Sequence, residues 1–286
     1  MSYKLGLIGH NLSHSISAII QKAGLKSLGL DGTYEVLETP PEDLISRIKF
    51  LKGNNYDGFN VTIPLKVPMG LFLDKVDKYA DIAGCVNTVK ILPDRTFHGF
   101  NTDVYGFQNA MPITIQKTLK GSVVSILGTG GAARAAAVGL IDLGVKEIDF
   151  YSRNIINSST MVNYLRKKFT DVTFKLYQIE QTQNLQETVL LVNTTPIGMR
   201  GNSMDQMPIG IQALKDLNPK AVVYDVIYNP TKTLLLKKAT EYGHETINGL
   251  DMLIHQAAKA LEIWTGKLPD VDKMKIAALE SLQACQ

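Results

Sequence analysis

Seven residues, Gly128-Thr129-Gly130-Gly131-Ala132-Ala133-Arg134, have the types and spacing of a phosphate cradle. They stand between an apolar, β-branched-rich run at 122–127 and an alanine-rich helical pattern at 135–143 that is closed by Gly144. That order reads as strand, tight turn, helix. Gly128 permits the turn, Gly130 lets backbone amides approach a pyrophosphate, and Ala133 takes the small position where helix packs on strand. The helix N-terminus would face the phosphates with unpaired N–H groups and the positive end of its dipole. A glycine triplet alone is only a βα turn; in this setting it points to a dinucleotide site.

The next strand, residues 147–152, bears on which dinucleotide. An NAD site usually ends this strand with an acidic side chain for the ribose 2′-hydroxyl, and an NADP site with a basic one for the 2′-phosphate. Here the strand ends Ser152-Arg153-Asn154, and Asp149 lies too early to serve. Arg153 offers a planar fork suited to phosphate, and Ser152 and Asn154 can add hydrogen bonds. The reading is NADP; the alternative is a solvated loop arginine.

Further polar clusters sit at the ends of expected strands, where α/β proteins build sites. In Ser13-His14-Ser15-Ile16-Ser17, Ser15 and Ser17 put two hydroxyls at the start of a helix, which suits a carboxylate or simply an N-cap. In Asn60-Val61-Thr62-Ile63-Pro64-Leu65-Lys66, alternation points Asn60 and Thr62 to one side, and Lys66 follows the strand. Lys66 is either a surface cation or a general acid–base group, and taken alone the surface reading is favoured. Asn87 and Asp103 can each take substrate hydroxyls, or order a turn and cap a helix respectively. Gln256 lies one helical turn beyond Met252, on the same face.

These clusters need elements to hold them. The chain has 286 residues, 45% apolar and 20% charged, enough for two domains with real cores. A net charge of +3, evenly spread, gives no argument for nucleic acid or an anionic membrane. Mean hydropathy is near zero, and no apolar run reaches the ~18 residues of a membrane span. The start of the chain lacks a signal-peptide layout, and Cys85 and Cys285 are too few for a disulfide framework, so reduced thiols in a cytoplasmic protein are expected. Five histidines without ligand spacing predict no metal site.

Strand-like and helix-like patterns alternate, implying α/β architecture with largely parallel sheets. The first block is expected to hold a strand at 4–8, a helix after Ser15, an extended run at 33–37, a helix from Thr39 through Ile48, and extended segments at 58–61, 89–92 and 97–100. The second holds strands near Val123, Ile148, Phe174, Val189 and Val222, with 155–160 as its most loop-like piece. The last block, from Leu250, is mostly helical, and periodicity does not say which block it packs on.

Read together, the segments resemble shikimate dehydrogenase, the family usually called AroE, from Leu7 to about Gly266. The resemblance rests on the Ser13–Ser17, Asn60–Lys66 and Gly128–Arg134 segments already quoted. It also rests on Ala83-Gly84-Cys85-Val86-Asn87-Thr88, Gly99-Phe100-Asn101-Thr102-Asp103, Asn193-Thr194-Thr195-Pro196-Ile197-Gly198-Met199, Asp225-Val226-Ile227-Tyr228-Asn229-Pro230 and residues 248–258. It implies a substrate domain of residues 1–103 completed by helices of 249–286, and a Rossmann-like NADP-binding domain of 104–248. It implies NADPH-dependent reduction of 3-dehydroshikimate to shikimate in chorismate and aromatic amino-acid biosynthesis. Ser15, Ser17 and Tyr228 would hold the substrate carboxylate; Asn60, Thr62, Asn87, Asp103 and Gln256 would bind ring hydroxyls; Lys66, with Asp103, would handle the proton. Gly128, Thr129, Gly130, Gly131, Ala132, Ser152, Arg153, Asn154, Thr194, Met199, Gly249 and Met252 would line the cofactor. The partner is a small-molecule substrate, with a monomer or homodimer expected.

Three departures stand out. The family often has Lys between the two serines and Pro after them, where this chain has Ile16 and Ala18. Its NADP pattern often carries a second arginine, where this chain has Asn157. One cation instead of two keeps a quinate/shikimate dehydrogenase with relaxed or NAD preference as an alternative. A catalytically silent nucleotide-binding regulator is a further reading, opposed by the retention of both Lys66 and Asp103.

Overall fold

The computed structural model describes residues 2–181, 185–201 and 203–284. Its chain divides into two compact units, residues 1–106 with 254–286, and residues 107–253. Both divisions fall inside helices.

The first unit opens with β1 (Ser2–Gly9), α1 (Ser17–Ser27), β2 (Asp31–Glu38), α2 (Leu44–Gly53) and β3 (Gly58–Val61). There follow β4 (Lys75–Val76), α3 (Lys78–Ala83), β5 (Thr88–Ile91), β6 (Phe97–Phe100) and α4 (Thr102–Asn109). The strands form one sheet in the order β2-β1-β3-β5-β6-β4. β1 runs parallel to β2 and β3, whereas β3, β5 and β6 pair antiparallel. The sheet is therefore less parallel than the alternation of patterns implied. The cause is the short β5–β6 connection, where Asp94 Oδ1 accepts from the amide and hydroxyl of Thr96 and closes a hairpin turn. The helix expected from Thr39 begins later and runs further: residues 41–43 form a short 3₁₀ turn and α2 continues to Gly53.

The second unit contains α5 (Ile113–Gln116), β7 (Val123–Leu127), α6 (Gly131–Asp142), β8 (Glu147–Ser152), α7 (Ile155–Lys168) and β9 (Thr173–Gln178). It continues with β10 (Thr188–Asn193), α8 (Ile211–Asp216), β11 (Val222–Asp225), α9 (Leu234–Glu241) and β12 (Glu245–Ile247). All six strands are parallel, in the order β12-β11-β10-β7-β8-β9. Residues 155–160, expected as loop, are the first turns of α7. The Asn154 side chain caps it by accepting from the Asn157 amide, and Ser158, Met161, Val162 and Leu165 form its buried stripe. A serine heading that stripe hid the period.

α10 (Leu250–Thr265) and α11 (Val271–Ala284) complete the chain. From Ile254 onward they belong to the first unit, and two glycines explain the fit. A Cβ on Gly24 of α1 would collide with Leu261 and meet the Met274 sulfur at 3.0 Å. A Cβ on Gly58 would collide with the Trp264 indole, whose N–H donates to the Val89 carbonyl at 2.9 Å. Backbone approaches that close leave no room for any other residue. Among the described residues no helix is long and apolar enough to cross a membrane. Cys85 is a buried free thiol; Cys285 lies outside the described residues.

Candidate active site

In each sheet the strand order reverses once beside a central parallel pair, between β1 and β3 in the first unit and between β7 and β10 in the second. The crevice at the carboxyl ends of such a pair is where α/β sheets bind ligands.

In the first unit, Ser15 and Ser17 follow β1, and Thr62 and Lys66 follow β3. The sheet register brings Asn60, Thr88 and Phe100 side by side. Asn87 and the start of α4 therefore meet at one end. Asn101 caps α4, its side-chain oxygen accepting from the Asp103 amide at 3.1 Å. Asp103 thus sits inside the first turn of α4 and is itself capped. The Lys66 ammonium donates to Asp103 Oδ2 at 2.5 Å, the two side chains being 16% and 7% exposed. The other carboxylate oxygen accepts from Asn87 Nδ2 at 2.8 Å. Asn87 Nδ2 also donates to Gln256 Oε1 at 3.2 Å, and Asn87 Oδ1 accepts from the Thr102 amide at 2.7 Å. Lys66, Asp103, Asn87 and Gln256 are thereby one connected group. Asn87 does more than order a turn, and Lys66 is a partly buried ion-pair partner rather than a surface cation.

Asn60 has a different part. Its oxygen accepts from the Tyr34 hydroxyl at 2.7 Å and from Gln21 Nε2 at 3.3 Å. Its amide donates to the Asn87 carbonyl at 3.1 Å and to Thr88 Oγ1 at 2.9 Å. Two donors and two acceptors fill the capacity of the side chain, so Asn60 braces Asn87 instead of presenting a free group to a ring hydroxyl. Burial pushes the Tyr34 phenol well above its ordinary range, so it stays a donor. Neither Ser15 nor Ser17 caps α1. The Ser15 hydroxyl donates to Ser17 Oγ at 3.1 Å and accepts from the Ser17 amide at 3.3 Å.

The second unit holds the glycine loop. Gly128 has φ 101° and a Cβ there would stand 2.8 Å from Thr194 Oγ1, so both conformation and space require glycine. Thr194 in turn donates to the Leu127 carbonyl at 2.6 Å, joining the ends of β7 and β10. Gly130 caps α6, and a Cβ on it would meet no protein atom, which leaves its outer side open to a ligand. Gly131 and Ala132 open α6, and Ala133 is fully buried. At the end of β8, Arg153 is exposed, and no carboxylate side chain stands beside it in sequence. Thr129 and Ser158 share a hydrogen bond of 2.8 Å, and Ser158 donates to Ser152 Oγ at 2.7 Å. The Asn154 side-chain oxygen is committed to capping α7. This set fits a dinucleotide bearing a 2′-phosphate: a cradle with an open glycine, and an exposed cation with no acidic neighbour in sequence.

Other residues of this unit are ordered by Asp225, which the sequence offered without a role. Its carboxyl accepts from Asn193 Nδ2 at 3.0 Å, Thr233 Oγ1 at 2.7 Å and the Ile227 amide at 3.1 Å. Burial pushes it up to about 6. These bonds shape the segment carrying Tyr228, a half-buried phenol also pushed up by burial. A Cβ on Gly249 would collide with the Val226 carbonyl, so glycine is obligatory there. Met252 is 7% exposed and packs in this unit's core, while Met199 is 38% exposed. Among the described residues no group of three or more His, Cys, Asp or Glu could hold a metal ion.

Residues 7–89 match the shikimate dehydrogenase substrate binding domain, and residues 249–279 match the shikimate 5′-dehydrogenase C-terminal domain. A Staphylococcus aureus (strain MSSA476) protein named shikimate dehydrogenase (NADP+) is 35% identical over 283 residues, 98% of this chain and 99% of that protein. The chain belongs to the shikimate dehydrogenase family. Two solved structures extend the likeness to this family's architecture. The shikimate 5-dehydrogenase of Thermus thermophilus, in complex with NADP(H) and shikimate, has a TM-score of 0.83 at 31% identity, covering 98% of this chain and 99% of that one. The quinate dehydrogenase of Corynebacterium glutamicum, in complex with NAD, has a TM-score of 0.87 at 28% identity, with the same coverage.

Proposed function

We propose that this chain is an NADP-dependent shikimate dehydrogenase, reversibly reducing 3-dehydroshikimate to shikimate in chorismate and aromatic amino-acid biosynthesis. The observation that carries the reading is the Lys66–Asp103 ion pair, tied to Asn87 and Gln256 at the carboxyl end of the first unit's sheet. Ser15, Ser17 and Tyr228 hold the substrate carboxylate. Thr62, Asn87, Asp103 and Gln256 read the ring hydroxyls, with Asn60 bracing Asn87 from behind. Because those groups are polar and buried or half-buried, a substrate lacking a hydroxyl leaves one of them unpaired and is strongly rejected.

The nicotinamide, when bound, supplies the hydride. Gly128, Thr129, Gly130, Gly131 and Ala132 hold its pyrophosphate, Ser152, Arg153 and Asn154 its 2′-phosphate end, and Thr194, Met199, Gly249 and Met252 its remaining length. As the ketone carbon is reduced, negative charge develops on its oxygen. The Lys66 ammonium stabilises that charge and then donates its proton, leaving an alcohol and a neutral amine. Asp103 keeps the lysine aimed and balances its charge beforehand. In the oxidative direction the neutral amine takes the hydroxyl proton.

Lys66→Ala is the test. Its kcat should fall by roughly 10²–10⁴, the range of a lost general acid–base group, with little change in substrate KM because Lys66 acts mainly in the transition state. A fully active variant removes Lys66 from the mechanism. A second reading, a quinate/shikimate dehydrogenase with relaxed cofactor choice, is favoured by one observation: Asn157 stands where the family often has a second arginine.

A further inference from the structure

β1 and β2 end side by side, with Gly9 paired to Glu38. Beyond Gly9 the chain must turn at once into the loop bearing Ser15 and Ser17. It does so through Asn11, whose φ of 62° is left-handed. A left-handed residue turns successive amides toward one point, and such a pair of N–H groups forms a concave anion site. Here the anion is the protein's own. Glu38 Oε1 accepts from the Asn11 amide at 2.6 Å, and Oε2 accepts from the Leu12 amide at 3.0 Å. His10 Nδ1 lies 2.8 Å from Oε1. The Leu12 amide bond, more than any other contact, holds the Glu38 carboxyl below its ordinary range.

The clamp is itself fixed. Arg47 donates to the Glu38 carbonyl and to Thr39 Oγ1, each at 3.0 Å, and the Thr39 amide donates to the Gly9 carbonyl at 2.6 Å. It also reaches the serines by a short path. The Leu12 carbonyl accepts from the Ser15 amide at 2.9 Å, and the Ser15 hydroxyl bonds both the amide and the hydroxyl of Ser17. Leu12 and Ile16, 7% and 6% exposed, anchor the loop from below.

We propose that Glu38 is a positioning residue for substrate binding: its carboxylate pre-orders the 10–17 loop so that Ser15 and Ser17 meet the substrate carboxylate without paying to order the loop. The proposal rests on the reading of those serines given above. Without the clamp, binding must fix several backbone residues that were mobile, and that cost lowers affinity. The substrate carboxylate does not react, so the cost is the same in the ground and transition states, and KM rises while kcat stays put.

The experiment is initial-rate oxidation of shikimate with NADP⁺ by wild type, Glu38→Ala, Glu38→Gln, Ser15→Ala and the double variant Glu38→Ala/Ser15→Ala. Glu38 is half-exposed, so its loss opens no core. Glu38→Ala is expected to raise shikimate KM roughly tenfold, with kcat and NADP⁺ KM within about twofold of wild type. Glu38→Gln, keeping one acceptor oxygen, falls between and serves if the alanine variant does not fold. The double variant raises KM by less than the product of the single effects, because both act through one loop. Amide hydrogen exchange at Asn11 and Leu12 quickens in the Glu38 variants. Unchanged or lowered KM in both Glu38 variants, beside a raised KM in Ser15→Ala, overturns the clamp and leaves the serine reading standing. A fall in kcat matching the rise in KM, or full multiplicativity in the double variant, also overturns it. An unchanged KM in Ser15→Ala overturns the serine reading and the proposal with it.

Discussion

Arg153 is exposed just beyond β8, and the proposed function sets it against the 2′-phosphate of the cofactor. A charge-assisted hydrogen bond there is worth ~1.5–3 kcal/mol, or roughly ten- to a hundredfold in affinity. Arg153→Ala should raise NADP⁺ KM by that factor and leave NAD⁺ KM within about threefold. Equal losses with both cofactors would mean that Arg153 does not read the 2′ position. The Lys66 variant tests the proposed proton transfer, whereas the Arg153 variant tests the proposed recognition of the 2′ position. At this scale the glycine turn between β7 and α6 was legible in the sequence, because its spacing is local. The bracing of Asn60 was not: its partners Tyr34 and Asn87 lie 26 and 27 residues away, and no periodicity links them. The tie between Gln256 and Asn87 was hidden for the same reason, the two being 169 residues apart.

Among the elements, β8 carries an unusual burden. Asp149 is 1% exposed in the middle of a parallel sheet, and its Oδ1 has no hydrogen-bond partner. Burial, reinforced by Glu147, pushes its carboxyl from 3.8 up to about 6, although Lys175 opposes the shift. The unfolded chain releases this proton near pH 4, while the folded chain keeps it until about pH 6. Between those values the folded state binds more protons, so stability falls as pH rises, by about 3 kcal/mol for this group. Above that window the buried charge remains as a constant cost. Asp149→Asn should therefore gain stability relative to wild type on going from pH 4.5 to 7.5, read from urea midpoints; Asp225, present in both proteins, cancels. A difference that is the same at both pH values would show that Asp149 is not the titrating group. The strands themselves were legible as apolar β-branched runs. α7 was not, because its buried stripe begins with Ser158 and its cap is a side chain, Asn154, that also suits a loop. The packing of α10 and α11 was invisible to periodicity and depends on Gly24 and Gly58, small residues whose absent side chains decide the fit.

Over the whole molecule, each compact unit places its proposed site residues at the point where its strand order reverses, with Ser15, Ser17, Thr62 and Lys66 in one and the glycine loop with Thr194 in the other. The two kinds of chemistry assigned to them, proton handling and dinucleotide binding, are what a dehydrogenase requires. The direct test is initial-rate oxidation of shikimate and of quinate, each with NADP⁺ and with NAD⁺. Activity with shikimate and NADP⁺ should exceed that of every other pairing. Equal or greater rates with quinate or NAD⁺ would contradict the assigned specificity, and no activity in any pairing would contradict the assignment of a dehydrogenase.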